Sequence, residues 1–158
     1  MKRFLKKAAL AAVLVFVVLQ FIKPAGKNLP VIAGHDFLTG GNPPPAEIAR
    51  LLRAACYDCH SHETRWPWYG RIAPVSWWLA DHIQDGRDHF NFSDWPHDNP
   101  TKARKRISNL ADEIAAGTMP LKSYTWMHPD ARLTTAQKKL LTDWADTEIE
   151  RLKATEPK

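Results

Sequence analysis

Cysteine is scarce in this chain of 158 residues: there are two, Cys56 and Cys59. No second Cys-x-x-Cys follows the first. A structural zinc site needs four ligands, so it would have to recruit a residue such as His62 in crowded geometry. Methionine is scarce too, with only Met119 and Met127 beyond the initiator. No segment shows the alternation of a strand, and no internal repeat is present, which argues against sheet folds and solenoids. No Ser-His-Asp order, phosphate loop or paired-carboxylate motif stands out. Residues 1–27 lack any acid.

That last absence decides how the charge is read. The net charge of +5 first suggests a nucleic-acid binder. Yet Lys2, Arg3, Lys6, Lys7, Lys23 and Lys27 account for the excess, and the remainder of the chain comes to about −1. Attraction to phosphate backbones has little support, so no nucleic-acid partner is expected. Four cations followed by an unbroken apolar run from Ala8 to Leu19 have the layout of an export signal. No Ala-x-Ala site follows, since the next stretch reads Ile22-Lys23-Pro24-Ala25-Gly26. The sequence therefore favours a retained transmembrane anchor over residues 1–23, with Lys6 and Lys7 snorkelling and later residues on the far side of the membrane.

Residues 24–45 read as a linker, rich in Gly and Pro and ending in Pro43-Pro44-Pro45. The expected domain is 46–153. Ile48, Leu51, Leu52, Ala55, Cys56 and Cys59 recur at helical steps behind Pro45. Residues 61–74 read as an aromatic loop, and a helix is expected from about Val75 to Gly86. Asn99-Pro100 opens another helix with an apolar stripe of Ile107, Leu110, Ile114 and Ala115, stopped by Gly117. Thr134-x-x-Gln137 has the form of a capping box before a helix burying Leu140, Leu141, Trp144, Ala145, Ile149 and Leu152. The expected architecture is all-α with long loops.

The two cysteines lie in Cys56-Tyr57-Asp58-Cys59-His60. Two cysteines placed at random would be three apart in roughly 1% of cases, with a His next in about 4% of those, for a pattern that reads as c-type haem attachment. The spacing suits the chemistry. On one helical turn, residues three and four apart share a face. Two thiols can then meet the two vinyl groups of one porphyrin while His60 presents imidazole to the iron. The competing readings are a structural disulfide, which has no need of His60, and a redox-active pair, which belongs beside a βαβ pattern absent here.

A monohaem electron carrier often adds Met opposite His, which raises the reduction potential. Met119 is the favoured distal ligand, because Pro120 pushes it out of the α region and lets its thioether project from an extended loop. Met127 in Trp126-Met127-His128-Pro129, a His, or an open site are the alternatives, and simple core filling is the bland reading of any Met.

The haem motif, together with Arg65-Trp66-Pro67-Trp68-Tyr69 and Ile72-Ala73-Pro74-Val75-Ser76-Trp77-Trp78, resembles the small haem-binding domain proteins of bacteria. Asn91-Phe92-Ser93-Asp94-Trp95, Met119-Pro120-Leu121 and His128-Pro129-Asp130-Ala131 look like the same family, so the similarity spans nearly the whole chain. The resemblance implies a membrane-anchored domain similar to monohaem cytochromes c, facing the periplasm from the bacterial inner membrane. It also implies one covalent haem c with a Met as distal ligand. The family is defined by haem binding, so the resemblance supplies no reaction. His62 departs from a smaller polar residue in relatives, which leaves an extra ligand or pH-sensitive group open. The reading that follows is one-electron transfer between redox partner proteins rather than catalysis. A haem peroxidase or a gas or redox sensor with an open sixth site is the alternative.

Three further features invite function. Seven Trp residues suggest an aromatic wall around the haem, against ordinary core and loop packing. Asp81-His82, Asp88-His89 and His97-Asp98 suggest a second metal, against a solvated surface. His82 and His89 would share a helix face only if the helix passed Gly86. Lys102, Arg104, Lys105 and Arg106 suggest docking of an acidic redox partner or pairing with haem propionates, against a solvated helix face.

Overall fold

The computed structural model describes residues 1–24 and 26–156. Among these it holds seven α-helices, three short 3-10 turns and no strand, so the all-α expectation is met. The helices are α1 (Lys2–Leu19), α2 (Ala46–Ala55), α3 (Tyr57–His60), α4 (Val75–His89), α5 (Pro100–Ala116), α6 (Lys122–Met127) and α7 (Thr135–Ala154).

The expected transmembrane helix is overturned. No helix among the described residues is long and apolar enough to cross a membrane. Four of the residues of α1 are Lys2, Arg3, Lys6 and Lys7, which leaves an apolar run only from Ala8 to Leu19. At about 1.5 Å per residue that run rises roughly 18 Å, against a hydrocarbon core of about 30 Å. Snorkelling moves a charged head outward, but it does not lengthen the apolar stretch between the cations and the end of the helix.

The core joins residues of α2, α5 and α7 to Phe37, Tyr57, Phe92 and Trp95. Helix α5 begins as its sequence requires: Asn99 accepts a hydrogen bond from Lys102 N, and Pro100 follows where a missing N–H costs nothing. It ends on Gly117, whose φ of 73° is the left-handed conformation that favours glycine. Ala103, Ile107, Ala111 and Ile114 are its buried stripe, with Ala111 in the place expected for Ala115. Helix α7 starts with the expected capping box, Thr134 and Gln137 satisfying each other's backbone donors. Its Leu141, Ala145 and Leu152 pack toward α5, while Leu140 stays about one third exposed, at 36%.

The segment expected to be a linker contributes to that core. Phe37 is buried against Trp95, Phe92 and Trp144, with the Trp95 ring centre 4.3 Å away. Asp36 is fully buried beside it. Its carboxylate accepts from Leu38 N at 2.9 Å, Tyr57 Oη at 3.2 Å and Ser93 Oγ at 3.3 Å. Buried carboxylates persist only with such donors. Asp36 and Phe37 thus tie this segment to the core, although the glycine and proline around them have the composition of a linker.

Candidate functional site

Helix α2 is amphipathic and buries Ile48, Leu51, Leu52 and Ala55. It does not continue through the cysteine motif. Cys56 departs from helical geometry, at φ −127°, and a single new turn follows as α3. Within that turn, Cys59 N and His60 N both donate to Cys56 O, at 3.2 and 2.9 Å. The two cysteines and the histidine therefore share one hydrogen-bonded turn, as their spacing requires.

The residues between the cysteines orient it. Tyr57 is buried, stacked on Phe92 at 4.6 Å, and donates to Asp36. Asp58 is buried as well and accepts from Arg65 N and Nε at Oδ1, and from Arg65 Nη2 and Tyr124 Oη at Oδ2. Burial raises both phenols well above the ordinary tyrosine range, with the hydrogen bonds to Asp36 and Asp58 adding to it. Both stay protonated donors. Sequence reasoning on the motif missed these two residues; the signal was that a tyrosine and an aspartate fill the variable positions of a turn fixed at three others.

Helix α4 runs three residues beyond the expected stop at Gly86, to His89. Gly86 is there for a close approach. A Cβ on it would lie 3.0 Å from Cys59 O and 3.5 Å from Cys59 Cβ. This contact puts Gly86 O and Phe90 O each 2.9 Å from His60 Nδ1. Both partners are carbonyls and can only accept, so Nδ1 carries the proton and Nε2 keeps its lone pair. Burial also lowers the His60 pKa against the two backbone bonds, which favours the neutral ring. An imidazole pinned at one nitrogen with the other free is the arrangement of a metal-ligating histidine.

His60 and Cys56 line a cavity of about 270 Å³, together with Met119 and Pro120. Ala55, Phe90, Leu110, Ile114 and Leu133 make it largely apolar, and Arg106, Asn109, Glu113 and His89 supply its polar groups. Met119 is held there by the end of α5, where Glu113 O accepts from Thr118 N and Met119 N at 3.2 and 3.3 Å. Met127 does not line the cavity and is nearly half exposed. Cys59 borders a smaller void of about 10 Å³ beside Asp58 and Tyr124. Both thiols are reduced, and burial pushes Cys56 up to about 12 and Cys59 up to about 11.

Arg106 turns toward the cavity, half-buried over the Trp95 ring, and donates to Asp94 O at 2.6 Å. Among the described residues it makes no ion pair, whereas Arg104 is paired with Glu156 at 2.6 Å. A neutral imidazole nitrogen, a thioether, the Cys56 thiol and an unpaired guanidinium around an apolar hollow, with Cys59 one turn from Cys56, fit an iron porphyrin with acidic side arms.

The other expectations fare differently. None of the seven Trp residues lines this cavity; Phe90 is its aromatic wall, and Trp68 and Trp126 are strongly exposed. The described residues contain no metal-type cluster of three or more His, Cys, Asp or Glu. His82 and His89 each bond the carbonyl four residues back. His62 bridges Pro30 O and Asn91 Nδ2, with both ring nitrogens engaged, so it does not act as an extra ligand in this geometry.

A histidine-faced apolar hollow beside two free cysteines, in an all-helical domain, has the chemistry of a haem-binding protein. The chain matches the model of the family described as haem-binding domain over residues 14–147, and it belongs to that family. No curated protein matches it, and no solved structure does.

Proposed function

We propose that the protein is a monohaem c-type electron carrier, with haem joined to Cys56 and Cys59, His60 as proximal ligand and Met119 as distal ligand. The observation that carries this reading is that His60, with Nε2 free, and Met119 line one apolar cavity. Bound there, haem supplies a one-electron exchange between ferric and ferrous iron. The chain does the rest. Gly86 and Phe90 carbonyls fix the His60 ring, so its orientation is set before any metal arrives. The apolar lining excludes water and lowers the local dielectric. Arg106 offers its charge to carboxylates at the cavity. A distal position filled by Met119 blocks peroxide and small gases, which is why transfer rather than catalysis is proposed.

The proposed setting is the periplasmic side of a bacterial inner membrane, where redox partner proteins are the expected clients. Support comes from the N-terminal segment, with six cations, no acid and one apolar run, which has the layout of an export signal. The test is a pyridine haemochrome assay on exported protein, followed by ferric spectra of wild type and Met119→Ala. Covalent haem with a low-spin spectrum lost in the variant is expected. Absence of covalent haem refutes the attachment. High-spin iron in the wild type that binds carbon monoxide or peroxide refutes the carrier and points to a sensor or peroxidase.

A further inference from the structure

Met119 lies between two fixed points. On its N-terminal side it is tied to the end of α5, through Thr118 N and Met119 N on Glu113 O. On its C-terminal side the chain turns through Pro120 and Leu121 into α6, and α6 carries Tyr124. The Tyr124 hydroxyl donates to Asp58 Oδ2 at 2.7 Å. Asp58 stands inside the haem-attachment motif, between Cys56 and Cys59, and is 6% exposed. This is the one side-chain hydrogen bond between α6 and the motif turn among the described residues.

The bond is built to hold. The carboxylate is braced from the other side by Arg65, whose Nε and Nη2 bind Oδ1 and Oδ2 at 3.1 Å each. The Tyr124 ring is braced by His128, stacked at 4.2 Å and 22°, whose Nδ1 meets Tyr124 O at 3.1 Å. Neither partner can swing away without breaking a second contact. A hydroxyl on a buried carboxylate is also a charge-assisted bond, one of the stronger kinds.

We infer that Tyr124, through its hydrogen bond to Asp58, is the positioning residue that keeps the Met119 segment closed over the cavity. The inference rests on the proposal that Met119 is the distal ligand. It links the two sides of the site: the turn that carries the attachment cysteines also fastens the strap that carries the opposing thioether. Loosening the strap lowers the share of molecules with Met119 in place, and an incoming ligand for the iron then competes better.

The test is imidazole binding to the ferric, haem-loaded full chain, read as a double-mutant cycle of Tyr124→Phe with Met119→Leu. In the wild-type background, Tyr124→Phe tightens imidazole binding about tenfold and weakens the Met-to-iron absorption band. Tenfold corresponds to about 1.4 kcal/mol. In the Met119→Leu background, where no thioether competes, the same change has no effect. Asp58→Asn, which keeps an acceptor for Tyr124 but removes its charge, gives a smaller tightening in the same cycle. It serves as the readout where Tyr124→Phe does not fold. Unchanged imidazole binding with the Met band intact refutes the latch and leaves the ligand assignment standing. Equal tightening in both backgrounds refutes it too, since the residue would then be loosening the domain at large. A wild type that lacks the Met band and binds imidazole as tightly as Met119→Leu overturns the distal assignment, and the latch with it.

Discussion

Replacing Gly86 by alanine sets two effects of known sign against each other. Glycine inside a helix is disfavoured by about 0.8–1.0 kcal/mol relative to alanine, so on propensity alone the variant is more stable. Gly86 sits within α4, three residues before its end, where that gain applies. Against it stands the contact with α3. The new Cβ would lie 3.0 Å from Cys59 O and 3.4 Å from Cys59 C. Restoring ordinary van der Waals distance moves the helices apart by about 0.4 Å. The Gly86 carbonyl then draws away from His60 Nδ1, stretching a bond of 2.9 Å toward the limit of useful hydrogen bonding. Overpacking of this kind costs typically about 1–3 kcal/mol, and a weakened buried hydrogen bond adds about 0.5–1.5 kcal/mol. The net is a loss of about 0.5–3.5 kcal/mol. Thermal unfolding of the haem-loaded chain reads it as a fall of roughly 1–14 °C, at about 2–4 °C per kcal/mol. A rise of about 3 °C with an unaltered visible spectrum would show that propensity alone governs the position and that α4 does not press on the motif turn.

Three further outcomes follow from the same geometry. Phe37→Ala removes a buried ring shared by Phe92, Trp95 and Trp144 and should cost about 3–5 kcal/mol in urea unfolding; a loss below about 1 kcal/mol would mean that residues 24–45 are a loose tether after all. Gly117→Ala forces a side chain into φ 73°, with Lys138 Nζ at 3.7 Å the nearest atom to the new Cβ, so a backbone cost of about 1–2 kcal/mol is expected without a clash. Thr134→Ala should cost about 1 kcal/mol through loss of the Gln137 N hydrogen bond at 3.2 Å, and a neutral result by calorimetry would refute the capping account.

How legible the site was depends on which forces placed each residue. His60 could be placed on one turn with Cys56 and Cys59 from spacing alone, because one helical turn dictates which neighbours share a face. The partners of its Nδ1 could not, because Gly86 and Phe90 lie 26 and 30 residues further on. Gly86 shows the same limit. Read locally, glycine stops a helix; in the fold it admits the backbone of Cys59, and only the packing of α4 on α3 distinguishes the two. The tryptophans could be read as a haem wall or as ordinary core and loop packing, and the fold decides for packing, since Phe90 and no Trp lines the cavity. The segment 24–45 looked like a tether because its composition is that of one, and a single Phe37 in an aromatic cluster outweighs that.

The sequence by itself determined the all-helical class, the capped ends of α5 and α7, and the grouping of Cys56, Cys59 and His60 on one turn. Each is set by residues within a turn or two of one another, so local backbone chemistry suffices. Tertiary structure alone decided that Met119 and not Met127 shares a cavity with His60, that Arg106 turns inward while Arg104 pairs with Glu156, and that Asp58 reaches Tyr124. Those contacts join residues dozens of positions apart. They exist only once burial of the core has brought the helices together.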